Sequence, residues 1–180
     1  MKKLFFIPLI LSVLLIFSAC GSKEESYELK ECALTSFTAE DLDGNIIDES
    51  VFAESKVTMI NIWGTYCEPC KEEIPALNEL CSEYPDSDFQ IIGIPVDTSH
   101  GSAVEARAFL ASIGGVSYKN IKVSNSVKPL VDSVKAVPYT IFVNSDGYQI
   151  GGAYIGSKSK KEWKNTIDSV LNFVNSNSRI

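Results

Sequence analysis

The stretch MINIWGTYCEPCKEEIP, residues 59–75, restricts the folds open to this chain more than any other feature. It overlaps a near-continuous apolar run, KVTMINIWG, which is typical of a strand buried on both faces. Cys67 and Cys70 follow directly. After them, apolar residues recur at the three- and four-residue spacing of one helix face: Ile74, Leu77, Cys81 and Tyr84. The stretch therefore predicts a buried strand, a Cys-x-x-Cys pair and an amphipathic helix, in which Pro75 should produce a kink.

The rest of the chain alternates strand and helix patterns. Residues 34–50, LTSFTAEDLDGNIIDES, predict a β-hairpin with its turn at Asp43 and Gly44. The later patterns predict, in this order, a strand (residues 89–97), a helix (102–115), a short strand (116–123), a short helix (127–136), a hairpin (138–156) and a final helix (159–176). Such alternation indicates an α/β sheet with a parallel core, to which the late hairpin adds antiparallel strands.

The first residues of the chain have the pattern of an export signal. Two lysines precede an apolar run, LFFIPLILSVLLIFSA, and its small final residues lead to Cys20. Because FSAC resembles the lipobox of bacterial lipoproteins, residues 1–19 are expected to be a lipoprotein signal peptide and Cys20 to carry the lipid. Cleavage that leaves Cys20 as a free thiol is the alternative. Residues 20–33 are then a polar tether and residues 34–180 the folded domain.

Charge and residue counts exclude several functions. A net charge of −7 argues against binding to nucleic acid, since the one basic segment, KSKKEWK, fits the solvated start of a helix. No metal is expected, because a zinc site commonly needs four ligands and the chain has one Cys-x-x-Cys pair and one histidine, His100. A purely structural Cys67–Cys70 disulfide would close a very short loop and stabilise little. The sequence therefore favours a redox role for the pair.

The position of the pair predicts a role for each cysteine. Cys67 lies at the junction of strand and helix, where the helix N-terminus favours a thiolate, so Cys67 is the expected nucleophile. Cys70, one turn later and more buried, is the expected resolving cysteine. Pro69 fits the first turn of the helix. Glu68 places a second negative charge beside Cys67, which should raise the pKa of that thiol and make the couple more reducing.

Cys32 and Cys81 have no assigned role at this point. In an exported domain disulfides can form and persist, so the two could form a structural disulfide that pins the N-terminal segment to the first helix. They could equally stay separate thiols, with Cys81 acting as a small apolar residue on the buried helix face. The sequence leaves both alternatives open.

WGTYCEPC followed by KEEIPAL, and later VPYTIFVNSDG, resemble the extracytoplasmic TlpA/ResA branch of the thioredoxin family. The similarity runs from about Leu34 to the C-terminus. It implies a thioredoxin-like α/β fold with an N-terminal β-hairpin, matched here by DLDG, and a central insertion, matched by residues 97–122. The CEPC tetrad is similar to that of the ResA-type proteins, which reduce apocytochrome c in Gram-positive bacteria.

The same resemblance implies a set of substrate-binding residues around the pair: Trp63, Tyr66, Pro69, Val137 and Pro138. Pro138 matches the family's cis-proline, which faces the disulfide and presents backbone groups to the substrate peptide. A cis peptide bond is readily accessible only before proline, so the assignment is physically consistent. Tyr66 occupies a position often held by tryptophan in relatives, and the surface beside Cys67 is expected to differ accordingly.

Together these features predict a thiol–disulfide oxidoreductase, lipid-anchored to the outer face of a bacterial cytoplasmic membrane. It is expected to reduce disulfides of exported client proteins, for example apocytochrome c, without a cofactor. A membrane electron donor of the CcdA/DsbD type would then restore the reduced pair. The alternatives are a disulfide-forming oxidase, a redox partner of a surface peroxide or methionine-sulfoxide repair system, and a non-catalytic binding lipoprotein.

Overall fold

The structure, a computed structural model, describes residues 27–100 and 103–177 of the chain, and for residues 99 and 100 the backbone alone. The predicted signal peptide, residues 1–19, and the predicted lipidation site, Cys20, lie outside the described residues. Among the helices that are described, none has the length and apolar character that crossing a membrane requires.

The described residues form two sheets and four α-helices. The elements in chain order are β1 (Leu29–Glu31), β2 (Thr38–Glu40), β3 (Ile46–Asp48), β4 (Val57–Trp63), α1 (Glu68–Cys81), β5 (Phe89–Pro95), α2 (Val104–Ser112), β6 (Lys119–Asn120), α3 (Lys128–Ser133), β7 (Tyr139–Asn144), β8 (Tyr148–Ile155) and α4 (Lys160–Asn177). Short 3-10 helices occupy Glu49–Glu54 and Val96–His100. From β2 onward this is the predicted order of strands and helices.

The larger sheet has six strands in the order β1-β8-β7-β4-β5-β6. Strand β4 pairs in parallel with β5 and antiparallel with β7, which places it at the centre, and all seven of its residues are buried. This is why the sequence of β4 is apolar on both faces. The parallel core and the late antiparallel hairpin, β7 and β8, are confirmed.

A second, two-stranded sheet is the predicted N-terminal hairpin, formed by β2 and β3. Its turn depends on Asp41, whose Oδ1 accepts hydrogen bonds from the backbone N–H groups of Asp43 and Asn45, both at 2.8 Å. Gly44 completes the turn with a φ of 95°, a conformation that residues with a Cβ rarely adopt. The hairpin is joined to the large sheet by a bridge between Asp41 and Ile121.

The large sheet separates the two larger of three apolar cores. Side chains alternate between the two faces of a strand. Ile60 and Ile62 of β4 therefore pack into a core beneath the hairpin and α3, whereas Val57 and Met59 pack into a core beneath α1 and α4. A third, smaller core at the start of α1 contains Cys67 and Cys70, together with Trp63 of β4 and Leu110 of α2.

Cys32 and Cys81 do not form the structural disulfide that the sequence left open. Cys32 is buried in the core beneath the hairpin, and Cys81 packs against the core on the other side of the sheet. Both are free thiols. A disulfide needs Cα atoms within about 7 Å of each other, which residues on opposite sides of a sheet do not provide.

The structure also shows a strand that the sequence did not indicate. Residues Leu29–Glu31, which fall in the predicted tether of residues 20–33, form β1 and pair antiparallel with β8. All three residues are exposed, so they carry no apolar alternation that would signal a strand. The folded part of the chain thus begins before Leu34.

Candidate active site

Cys67 lies where the central strand turns into the first helix. Strand β4 ends at Trp63, a short turn follows, and Cys67 is the N-cap of α1 with an extended backbone. Its backbone N–H donates to the carbonyl oxygen of Gly64 at 3.1 Å, and its Sγ accepts from the backbone N–H of Cys70 at 3.2 Å. The sulfur therefore occupies the place of an N-cap acceptor, at the positive end of the helix dipole.

Cys67 and Cys70 form a disulfide, with their Cα atoms 5.3 Å apart. Cys67 retains 7% of its surface exposed and Cys70 only 1%. An attacking or leaving sulfur of another protein can therefore approach Cys67, whereas Cys70 is covered by the helix. This asymmetry is the one that the predicted roles of nucleophile and resolving cysteine require.

The loop before β7 faces the disulfide. The Val137–Pro138 peptide bond is cis, as the resemblance implied for Pro138. The carbonyl oxygen of Val137 lies 3.6 Å from Cys67 Sγ. A disulfide sulfur carries no hydrogen, so this is a close contact here, and a reduced Cys67 thiol could donate to the same oxygen. Pro138 itself is buried, and half-buried Val137 presents the accessible surface of the loop.

A groove of about 570 Å³ opens beside Cys67. Residues from three parts of the chain line it: Tyr66, Cys67, Glu68, Pro69, Val96, Val131, Val134, Lys135, Ala136 and Val137. Three of the predicted substrate-binding residues, Tyr66, Pro69 and Val137, are thus brought together at one surface. Tyr66 is 70% exposed, so its ring is available for contact at this surface.

Trp63 does not belong to that surface. Its side chain is fully buried, with 0% exposure, so the prediction that it binds substrate is contradicted by its burial. The indole Nε1 donates to Asn120 Oδ1 at 3.0 Å, and the ring packs at a tilt against Phe109, with centroids 5.7 Å apart. Trp63 therefore supports the site from beneath by joining β4 to β6 and α2.

Glu68 lies beside Cys67 but points into solvent. Its side chain is 74% exposed, and its Oε1 lies 2.5 Å from Nζ of Lys71. Solvent and the neighbouring ammonium both weaken the field of this carboxylate at the sulfur. The predicted influence of Glu68 on the Cys67 pKa stays a prediction, and its expected size is reduced.

A buried carboxylate, Glu73, is a residue of the site that the sequence reading missed. It is 3% exposed, on the helix face one turn beyond Cys70. Its Oε1 accepts from the backbone N–H of Lys158 at 2.8 Å and from Trp163 Nε1 at 2.5 Å, and Oε2 lies 3.4 Å from Asn61 Nδ2. Burial raises the pKa of Glu73, which these hydrogen bonds only partly offset.

The spacing of the helix contained a signal for Glu73. Cys70, Ile74 and Leu77 follow the three- and four-residue steps of the buried face, and Glu73 falls on the same face. Burying a carboxylate costs free energy unless it is hydrogen-bonded, so an acidic residue on a buried helix face indicates a candidate functional site. The partners themselves lie 12 to 90 residues away in sequence and could not be predicted.

Comparison with known proteins adds three results. The sequence profile of the AhpC/TSA family matches residues 31–151. The thiol-disulfide oxidoreductase ResA of Bacillus cereus is 38% identical over 76 residues, which are 42% of this chain and 43% of that protein. The thiol:disulfide interchange protein DsbE of Yersinia pestis is 25% identical over 178 residues, 92% of this chain and 90% of that protein. The match to ResA thus spans less than half of the relative's length.

Among solved structures, a thiol:disulfide interchange protein of the thioredoxin family from Chlorobium tepidum superposes with a TM-score of 0.65. The match covers 80% of this chain and 99% of that one at 18% identity. At this identity the similarity shows the fold, and it confirms the predicted thioredoxin-like architecture.

Proposed function

The chain belongs to the AhpC/TSA family of thioredoxin-like proteins, and we propose that it is a thiol–disulfide oxidoreductase that works through Cys67 and Cys70. The observation that carries the proposal is the Cys67–Cys70 disulfide at the start of α1, with the accessible sulfur facing the cis peptide bond of Val137 and Pro138. The names of the ResA and DsbE relatives support the same activity.

In the proposed reaction the reduced protein opens a client disulfide. The Cys67 thiolate attacks one client sulfur, a mixed disulfide forms, and the other client sulfur leaves as a thiolate. Cys70 then attacks the Cys67 sulfur, which releases the second client thiolate and closes the Cys67–Cys70 disulfide. Two electrons pass to the client, which takes up two protons as its thiols form. No cofactor is needed, because the cysteines carry the electrons.

The site residues divide this work. The helix N-terminus stabilises the Cys67 thiolate, and the groove beside it holds the client segment against Tyr66 and Val137. Cys70 must lose its proton before it attacks, and we assign Glu73 as the acceptor, since i and i+3 residues are neighbours on a helix surface. Burial raises the pKa of Glu73, which makes its carboxylate a stronger proton acceptor.

We further propose that electrons flow from the protein to exported clients. Export is supported by the charged and apolar pattern of residues 1–19, and anchoring by a lipid on Cys20 is supported by the FSAC sequence. The protein would then act on the outer face of the cytoplasmic membrane, with a CcdA/DsbD-type donor to restore its thiols. Apocytochrome c is the proposed client, because the CEPC tetrad is similar to that of ResA-type reductases.

An insulin-reduction assay tests the activity itself. The full-length chain with Cys20→Ser, purified in detergent, should accelerate the reduction of insulin by dithiothreitol, and Cys67→Ser should abolish the acceleration. Cys32→Ser with Cys81→Ser is the matched control and should retain it, since both thiols are remote from the pair. A chain that does not accelerate reduction would instead be a binding protein with a thioredoxin-like fold.

A further inference from the structure

We propose that Asp97 is a positioning residue that fixes the turn before Cys67 and, through its charge, disfavours the Cys67 thiolate. The inference rests on the proposed function and deepens it, because a less stable thiolate makes the couple a stronger reductant. It assigns to Asp97 an electrostatic role that the sequence reading gave to Glu68.

The carboxylate of Asp97 holds the turn directly. Asp97 lies just past the end of β5, in the 3-10 helix Val96–His100. Its Oδ2 accepts from the backbone N–H of Thr65 at 3.2 Å and also from the Thr65 hydroxyl. Thr65 is the second residue of the turn that the hydrogen bond from Cys67 N–H to the Gly64 carbonyl closes. A shift of Asp97 would therefore move Thr65, which lies two residues before Cys67.

The segment that carries Asp97 is also anchored by the next residue, Thr98. The hydroxyl of Thr98 donates to the carbonyl oxygen of Pro95 at 2.7 Å and accepts from the backbone N–H of Val123 at 3.0 Å. Thr98 is 2% exposed. Adjacent Val96 lines the same groove as Cys67. Asp97 thus lies between Val96, which lines the groove, and Thr98, whose hydroxyl is hydrogen-bonded to the backbone of two other residues.

The charge of Asp97 is poorly compensated. Its Oδ1 is buried and has no hydrogen-bond partner among the described residues. None of the ion pairs between described residues involves Asp97, whereas Glu68 is paired with Lys71 at 2.5 Å. A partly buried carboxylate without an ion-pair partner acts over a longer range than an exposed and paired one.

The charged or titratable side chains near Cys67 in the described part of the chain come from the groove, from the first turns of α1 and from the segment after β5: Tyr66, Glu68, Lys71, Glu73, Lys135 and Asp97. Lys135 is exposed at the rim of the groove, and Glu68 and Lys71 offset each other. Glu73 is buried, and its carboxylate is compensated by hydrogen bonds from the Lys158 backbone N–H, Trp163 Nε1 and Asn61 Nδ2. Asp97 is the member of this set that combines partial burial with an uncompensated charge.

The test compares the thiolate of Cys67 in matched variants. The full-length chain carries Cys20→Ser, Cys32→Ser, Cys70→Ser and Cys81→Ser, so that Cys67 is the one thiol, and its pKa is read from thiolate absorbance during a pH titration. Asp97→Asn keeps an acceptor for Thr65 but removes the charge. Glu68→Gln removes an exposed charge, and Thr65→Val removes the hydroxyl contact while the charge stays.

Asp97→Asn should increase the ratio of thiolate to thiol at a fixed pH by about threefold or more, a fall in the Cys67 pKa of about half a unit. Glu68→Gln should increase the ratio of thiolate to thiol by less than Asp97→Asn does. Thr65→Val should not increase it, which separates the effect of charge from loosening of the turn. With Cys70 restored, Asp97→Asn should also make the reduction potential less negative.

An unchanged pKa in Asp97→Asn, or an equal fall in Asp97→Asn and Thr65→Val, would overturn the inference. Thermal unfolding of each variant shows whether the fold is retained. Failure of the proposed function would be seen in a different experiment: the chain with wild-type Asp97, Cys67 and Cys70 would not accelerate insulin reduction.

Discussion

At the scale of single residues, the site depends on which groups are exposed and which are buried. Cys67 retains 7% exposure beside the groove, Cys70 is covered, and Glu73 is a buried acid one turn beyond it. The two cysteines and their order of attack could be predicted from sequence, because a strand–helix junction has a known dipole. The burial of Trp63 and the hydrogen bonds of Glu73 could not, because they depend on β6 and α4, which are distant in sequence.

Replacing Cys70 should trap the reaction halfway. In Cys70→Ser the attack of Cys67 on a client disulfide still occurs, but no second thiol is present to release the client. A mixed disulfide through Cys67 should therefore accumulate with oxidised insulin or glutathione disulfide, detectable by mass spectrometry without reductant. Cys67→Ser is the control, and an adduct forming at Cys70 in that variant to the same extent would contradict the assigned roles.

Glu73 should make the stability of the protein depend on pH. Burial raises its pKa above the ordinary value of 4.5, so the folded protein binds this proton more tightly than the unfolded chain does. The resulting stabilisation is complete below about pH 4.5 and is lost as the pH rises through the folded pKa. The free energy of unfolding of wild type should therefore fall, relative to that of Glu73→Gln, as the pH increases.

Urea unfolding at a series of pH values measures this difference. Exposed Glu72 offers a matched control, and Glu72→Gln should keep a constant difference from wild type across the series. A wild-type protein that becomes more stable than Glu73→Gln as the pH rises would show that Glu73 is stabilised as a carboxylate, contrary to the account.

At the scale of elements, the site is built where a central strand, a turn and a helix meet the loop that enters the neighbouring strand β7. Strands β4 and β5 were predictable because continuous apolar runs require burial on both faces. Strand β1 was not, because its exposed LKE sequence is held by pairing with β8 rather than by apolar contacts. The pairing of β1 with β8 is determined by the folded sheet and not by the local sequence of β1.

Gly93 of β5 links the sheet to the site, and Gly93→Ala should disturb both. A Cβ there would overlap Oδ1 of Asn120, the atom that accepts the hydrogen bond from Trp63 Nε1. Because Asn120 is buried, its side chain cannot move aside freely, and we expect a loss of about 1–3 kcal/mol in the free energy of unfolding.

Gly152→Ala in β8 is the matched control, since a Cβ there meets nothing within 4 Å. Urea unfolding of the two variants should show a large loss for Gly93→Ala and a small one for Gly152→Ala. Equal effects would mean that the contact between Gly93 and Asn120 does not constrain the fold.

At the scale of the whole molecule, the six-stranded sheet keeps Cys32 and Cys81 apart. Cys32 and Cys81 lie in cores on opposite sides, so the pair at α1 is the one disulfide within the described residues. The sequence alone could not show whether Cys32 and Cys81 form a disulfide, because each thiol fits its local sequence pattern. Only the folded sheet shows that they lie in different cores.

The oxidised protein should therefore keep two reactive thiols once it is denatured. After oxidation, unfolding of the Cys20→Ser chain in guanidinium with Ellman's reagent should give two thiols per chain, and Cys32→Ser or Cys81→Ser should give one. A count of zero would show that Cys32 and Cys81 can reach each other, contrary to the observed fold.

The central claim is that this protein donates electrons to its clients, and the reduction potential of the Cys67–Cys70 couple tests it most directly. The full-length chain with Cys20→Ser, Cys32→Ser and Cys81→Ser would be equilibrated with glutathione or dithiothreitol buffers. The account predicts a potential near or below that of thioredoxin, about −270 mV. A potential approaching that of DsbA, about −120 mV, would show that the protein accepts electrons and forms disulfides instead.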